Sequence, residues 1–122
     1  MNVDRDRNMA LKPSYNDKLH LPGLSKTEIL ILALEASQKL EWNIEEVTPE
    51  GARFEVPFNM YSHGEEITFT IEPGSDGEVA VRSQSSSVQF VDYGKNRKNI
   101  QKLRETMEEI KASLTPEELA QR

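Results

Sequence analysis

The chain has 122 residues, 36% of them hydrophobic and 30% charged, with a net charge of −6 and a pI near 5.0. That length supports one buried core, and the composition is too rich in apolar residues for a disordered chain. The absence of cysteine removes disulfides, thiolate metal sites and a Cys nucleophile. The acid excess argues against nucleic acid, which needs cations across a whole face.

Residues 1–13 mix Asp and Arg without apolar periodicity, and we expect a flexible arm. Met1 to Ala10 lacks the apolar core of a secretory signal, and the longest apolar run, Ile29 to Leu34, is far shorter than the roughly 20 residues that span a bilayer. We therefore expect a cytoplasmic chain. Tyr15, Leu19 and Leu21 alternate with Asn16, Lys18 and His20, a half-buried strand ended by Pro22-Gly23.

Ser25 with Glu28 three residues later forms a capping box, with Leu24 and Ile29 placed as a staple. The helix is expected over 26–41. Its residues Ile29 to Leu34 cover more than one face, so something beyond the sheet must cover the rest. A second helix, a dimer partner and a membrane surface are the available covers.

Trp42, Ile44 and Val47 begin a strand, Thr48-Pro49-Glu50-Gly51 reads as a type I turn, and Ala52, Phe54 and Val56 alternate on the next strand. Pro57 ends that strand or marks an edge or bulge. A loop over 58–64 precedes the clean alternation of Ile67, Phe69 and Ile71. After a Pro73 to Gly77 turn, Val79, Val81 and Ser83 continue the same face. A long helix should start between Asp92 and Lys95, with Ile100, Leu103, Met107, Ile110 and Leu114 on one stripe. Thr115-Pro116-Glu117-Glu118 starts a short helical turn over 115–122.

The domain proper is thus 14–114, an α+β fold of order β-α-β-β-β-β-α. One antiparallel sheet with both helices on one face buries the apolar strand positions most simply.

Between Arg82 and Arg104 six Lys or Arg stand against one acid, Asp92, a surplus of five positive charges that leaves −11 on the rest of the chain. Lys95, Arg97 and Lys98 fall at the expected helix start, where unpaired N–H groups already give partial positive charge. Two readings are open. In one, Asp92 caps the helix, Gly94 makes the turn, Asn96 bonds nearby backbone, and the cations face water. Ser83, Ser85 and Ser87 then make a polar strand edge. In the other, an external anion sits at the helix start among Lys95, Arg97 and Lys98, with the hydroxyls of Ser83, Ser85 and Ser87 added if the strand persists that far.

Arg-Ser-x-Ser followed by Asp-x-Gly-x-Asn-Arg-x-x-Ile, carried by Arg82, Ser83, Ser85, Asp92, Gly94, Asn96, Arg97 and Ile100, resembles the block that ends an uncharacterised bacterial domain family. With Lys95, Lys98 and Asn99 it is also similar to a block in cytoplasmic segments attached to bacterial rhomboid-type membrane proteins. The resemblance implies a small α+β domain, similar in element order to one half of a TATA-binding-protein-like fold, with no established activity.

Nucleophile elbows, P-loops and dinucleotide fingerprints are absent from the sequence. His63 with Glu65 and Glu66 matches no closed zinc spacing and reads as a solvated turn. We expect no cofactor and no metal. The expected function is a non-enzymatic cytoplasmic binding or interaction module, with an anionic ligand or an unknown protein partner at the basic helix start. A small carboxylate-based enzyme and a self-associating structural domain are the alternatives. A membrane surface could be touched but not spanned, and a homodimer through the apolar first helix is open.

Overall fold

A computed structural model of the chain describes residues 13–57, 64–86 and 94–114. Seven elements follow in order: β1 (Ser14–His20), α1 (Lys26–Lys39), β2 (Asn43–Thr48), β3 (Gly51–Val56), β4 (Glu65–Ile71), β5 (Glu78–Ser85) and α2 (Lys95–Ser113). Most of the expected N-terminal arm, the C-terminal turn, Asp92, His63 and Ser87 lie outside the described residues.

The five strands form one antiparallel sheet in the order β1-β5-β4-β3-β2. Strand periodicity builds it: Ile67, Phe69 and Ile71 of β4 and Val79 and Val81 of β5 are buried, while Glu66, Thr68 and Thr70 between them are exposed. Both helices lie on the buried face, α1 over β2 and β3 and α2 over β5 and β1, and they pack against each other. The second helix is thus the cover that the apolar α1 required.

The Ser25–Glu28 capping box forms as expected, with the Ser25 Oγ accepting from the Glu28 N–H at 3.1 Å and the Glu28 carboxylate from the Ser25 N–H at 2.9 Å. The helix ends two residues short of the expected Glu41. Glu41 takes a left-handed conformation (φ 63°), its N–H donating to Gln38 O at 3.0 Å and that of Trp42 to Ser37 O at 2.9 Å. This is a Schellman end with glutamate where glycine usually stands, so no glycine in the sequence announced it.

Trp42 comes before β2, not within it, and is buried with its ring 6.3 Å from that of Phe54. All of β2 is exposed, Ile44 at 40% and Val47 at 47%. The strand is at the sheet edge, and its register against β3 shifts between Ile44 and Glu46. That bulge, with Glu45 and Glu46, makes the free edge a poor template for another strand.

Candidate functional site

The start of α2 is anchored by a buried polar chain. Asn96 and Asn99 lie three apart, on one helix face. Ser83 and Ser85 lie two apart, on one strand face. Ser83 Oγ donates to Asn96 Oδ1 (2.7 Å), and Asn96 Nδ2 donates to Ser85 Oγ (3.1 Å) and to the Pro13 carbonyl (3.0 Å). Asn99 Nδ2 donates to Ser83 Oγ (3.3 Å) and to Glu65 Oε1 (2.8 Å). Glu65 is only 2% exposed, and Ser83, Ser85, Asn96 and Asn99 are all buried. The Ser85 N–H also donates to Pro13 O at 2.9 Å, so Pro13 is tied into the fold at the end of the segment read as an arm.

Ser83, Ser85 and Asn96 are therefore not aimed at a ligand outside the helix start. Nor do the two serines form a sheet edge, because β5 lies between β1 and β4. Asn96 reaches across the fold to the Pro13 carbonyl. The sequence carried the signal as two same-face spacings, Ser-x-Ser and Asn-x-x-Asn, but not which face would be covered.

Gly94 is the N-cap of α2, at φ 76°. Its first turn holds Lys95, Arg97 and no acid; Arg97 and Lys98 are exposed and Lys95 half-buried. The basic surplus is not gathered at this point, however. Arg104 pairs with Asp17 at 2.8 Å, and Arg82 sits across the sheet on the opposite face.

The Lys18 backbone N–H, donated to Asp17 at 2.8 Å, and the Arg104 guanidinium hold the Asp17 carboxyl below its ordinary value of 3.8, and the charge of Arg97 adds to this against partial desolvation. A carboxyl whose folded pKa is lowered contributes stability above its unfolded pKa and loses it as pH falls through the folded value. Asp17 and Arg104 are 37% and 35% exposed, so solvent limits the pair to roughly 1 kcal/mol or less. Asp17→Asn should lower the urea midpoint slightly at pH 6, and the gap from wild type should close as pH drops below the ordinary carboxylate value. A gap that persists unchanged at pH 2 would show that the ion pair is not its source.

The face of the sheet away from the helices is open. Register places Asn16, Arg82, Thr68, Arg53 and Glu46 in one row across all five strands, and Lys18, Ala80, Thr70, Gly51 and Thr48 in the next. A groove of about 550 Å3 crosses β1, β5 and β4, lined by Asn16, Lys18, Thr68, Thr70, Arg82 and Gln84 among others. A smaller one of about 210 Å3 adjoins it along Thr68 and Thr70 and is lined by Arg53. The Arg82 guanidinium has no ion pair or hydrogen bond among the described residues. Arg53 Nη1 lies 3.9 Å from Glu46 Oε1, while its Nε is buried without a partner.

A family model described as "Protein of unknown function (DUF1499)" matches residues 6–107, from before β1 to well into α2. The chain belongs to the DUF1499 family. No curated protein matches it.

In this DUF1499 domain Glu65 and Glu66 point to opposite faces of the sheet, so they cannot share a site. No group of three His, Asp or Glu able to hold a metal occurs among the described residues, and no helix there is long and apolar enough to cross a membrane. The open-face row was legible in part: inward Val79, Val81 and Ser83 put Ala80, Arg82 and Gln84 outward.

Proposed function

We propose that this DUF1499 domain is a non-enzymatic binding module of the cytoplasm that takes an anionic ligand or partner. The observation that carries the reading is the open, grooved sheet face, where the Arg82 guanidinium stands unpaired among hydroxyl and amide side chains. Binding sites are concave and present a few convergent polar groups, and one edge of this groove is held in place by the Asp17–Arg104 pair. The best-formed cluster of acid and amide groups, around Glu65, is buried and hydrogen-bonded, which suits anchoring better than proton transfer. The likeness of the Arg82 to Ile100 block to segments attached to rhomboid-type proteins supports a place beside a membrane.

The start of α2 is the second surface, supported by its first-turn cations. Titrating a panel of phosphate, small carboxylates and anionic vesicles into the 15N-labelled chain, against buffer alone, separates the two. Selective shifts at the Thr68 and Arg82 amides support the sheet face. Shifts confined to Lys95–Asn99 move the site to the helix start, and no selective response to any anion removes the anion-binding reading.

A further inference from the structure

Among the described residues the sheet has two free edges, β2 and β1, and they are protected differently. The β2 edge is bulged and acidic, whereas β1 keeps an unbroken register with β5 over all seven residues, Ser14–His20. The Leu21 N–H donates to Gly77 O and the Ser85 N–H to Pro13 O, so the odd-numbered residues of β1 are the ones that bond to β5. The N–H and C=O groups of Asn16, Lys18 and His20 therefore point away from the sheet. A regular strand edge of this kind is a template for another strand.

At the centre of the β1 edge the template is filled by side chains. Asp17 Oδ1 accepts from the Lys18 N–H at 2.8 Å, Asp17 Oδ2 accepts from Arg104 Nη2 at 2.8 Å, and the same Nη2 donates to Lys18 O at 3.4 Å. Asp17 and Arg104 thus give Lys18 the acceptor and the donor that one residue of a neighbouring strand would supply. An incoming strand must displace both.

The side chains of β1 indicate which strand fits. Laid antiparallel on a second copy of itself in full overlap, β1 sets Ser14 opposite His20, Asn16 opposite Lys18 and Tyr15 opposite Leu19. The first two pairs are exposed and polar, and the third joins two side chains that already pack on the core. Asp17 alone meets its own copy, at a close pair where like charges repel. Arg104, stripped of its carboxylate, would bring a cation to the same two-fold axis, so both groups must go before the edge opens.

We propose that the free edge of β1 is a strand-pairing surface for a second copy of this chain, held shut by the Asp17–Arg104 pair. The proposal stands apart from the anion-binding reading.

Asp17→Thr combined with Arg104→Ala, in the full chain, removes the block and both charges near the axis. Light scattering should give this variant twice the mass of the wild type at equal concentration, and dilution should reverse the change. Its Asn16, Lys18 and His20 amides should exchange about tenfold more slowly than in the wild type, or slower still. Adding Lys18→Pro deletes the central outward N–H without touching a bond to β5. It should restore the wild-type mass and the wild-type exchange at Asn16 and His20. In the wild type itself, the Asn16 and His20 amides should exchange faster than that of Lys18, whose proton Asp17 holds. A double variant that is folded by circular dichroism yet keeps the wild-type mass overturns the proposal, as does association that the proline leaves intact. Wild-type protection at Asn16 and His20 equal to that at Tyr15 and Leu19 overturns it without any variant, because the edge would then already be covered.

Discussion

Asn96→Ala should cost about 2–4 kcal/mol of folding stability, read as a fall in urea midpoint at unchanged slope. Two groups lose their partner at once, the Ser83 hydroxyl its acceptor and Ser85 Oγ its donor, while the Pro13 carbonyl loses one of two donors and keeps the Ser85 N–H. The bonds to Ser83 and Ser85 are buried and the one to Pro13 is part-buried, and an unsatisfied buried group bears its full desolvation penalty. Asn96→Asp separates hydrogen bonding from volume. It keeps the shape but sets an oxygen against the Pro13 carbonyl, so it should cost at least as much as alanine, which a pure cavity effect would not produce. Ser83→Ala combined with Asn96→Ala should cost clearly less than the two single changes added together, since they remove a shared bond. A loss below about 1 kcal/mol for Asn96→Ala would mean that the α2 start is not held by this chain of bonds.

Gly77→Ala should be the most damaging change in a turn, about 3 kcal/mol or more, through two separate effects. Gly77 has φ 76°, a conformation that costs a residue with a Cβ roughly 1–2 kcal/mol. A Cβ there would also run into the carbonyl of Leu21, whose own N–H donates to Gly77 O at 2.8 Å, and overpacking against backbone adds roughly 1–3 kcal/mol. Gly74 in the same turn is the control: its φ is 73°, but nothing lies within 4 Å of an added Cβ. Gly74→Ala should therefore show only the conformational cost, and thermal melts of the two variants should differ by the close contact alone. Equal losses would refute that approach of the two chain segments. The contact bears on function because Leu21 to Gly23 follow β1 directly and are docked on this turn, with the Gly23 N–H also donating to Asp76 Oδ1 at 3.0 Å. It helps to seat the strand that supplies Asn16 and Lys18 to the groove.

The two candidate surfaces differ in what holds them. At the α2 start, the residues that looked most like ligand donors, Ser83, Ser85 and Asn96, are taken up by the protein itself. On the open face the exposed Arg82 guanidinium has no partner among the described residues. A free donor is what a ligand can use, and this places the open face ahead of the helix start.

Local pattern was sufficient for the elements and their order. Alternation at Ile67, Phe69 and Ile71, the Ser25–Glu28 box and the stripe from Ile100 to Met107 each depend on residues a few positions apart, and each appears in the structure as the sequence implied. Periodicity also determines which residues share a face. It does not say what that face meets, because this depends on strand order and register, which are set by packing of the whole chain. Ser83 was readable as inward with Val79 and Val81, yet its partner Asn96 is 13 positions away, and the Pro13 carbonyl lies 83 positions from Asn96. Arg82 and Arg53 are brought to either side of Thr68 only because β4 lies between β5 and β3 in the sheet. The exposed β2 and the left-handed Glu41 were equally invisible, since edge position and a helix end without glycine leave no mark in composition or spacing. The chain by itself thus determined its elements and their inward faces, and the tertiary structure decided which polar groups satisfy one another and which are left facing the open sheet.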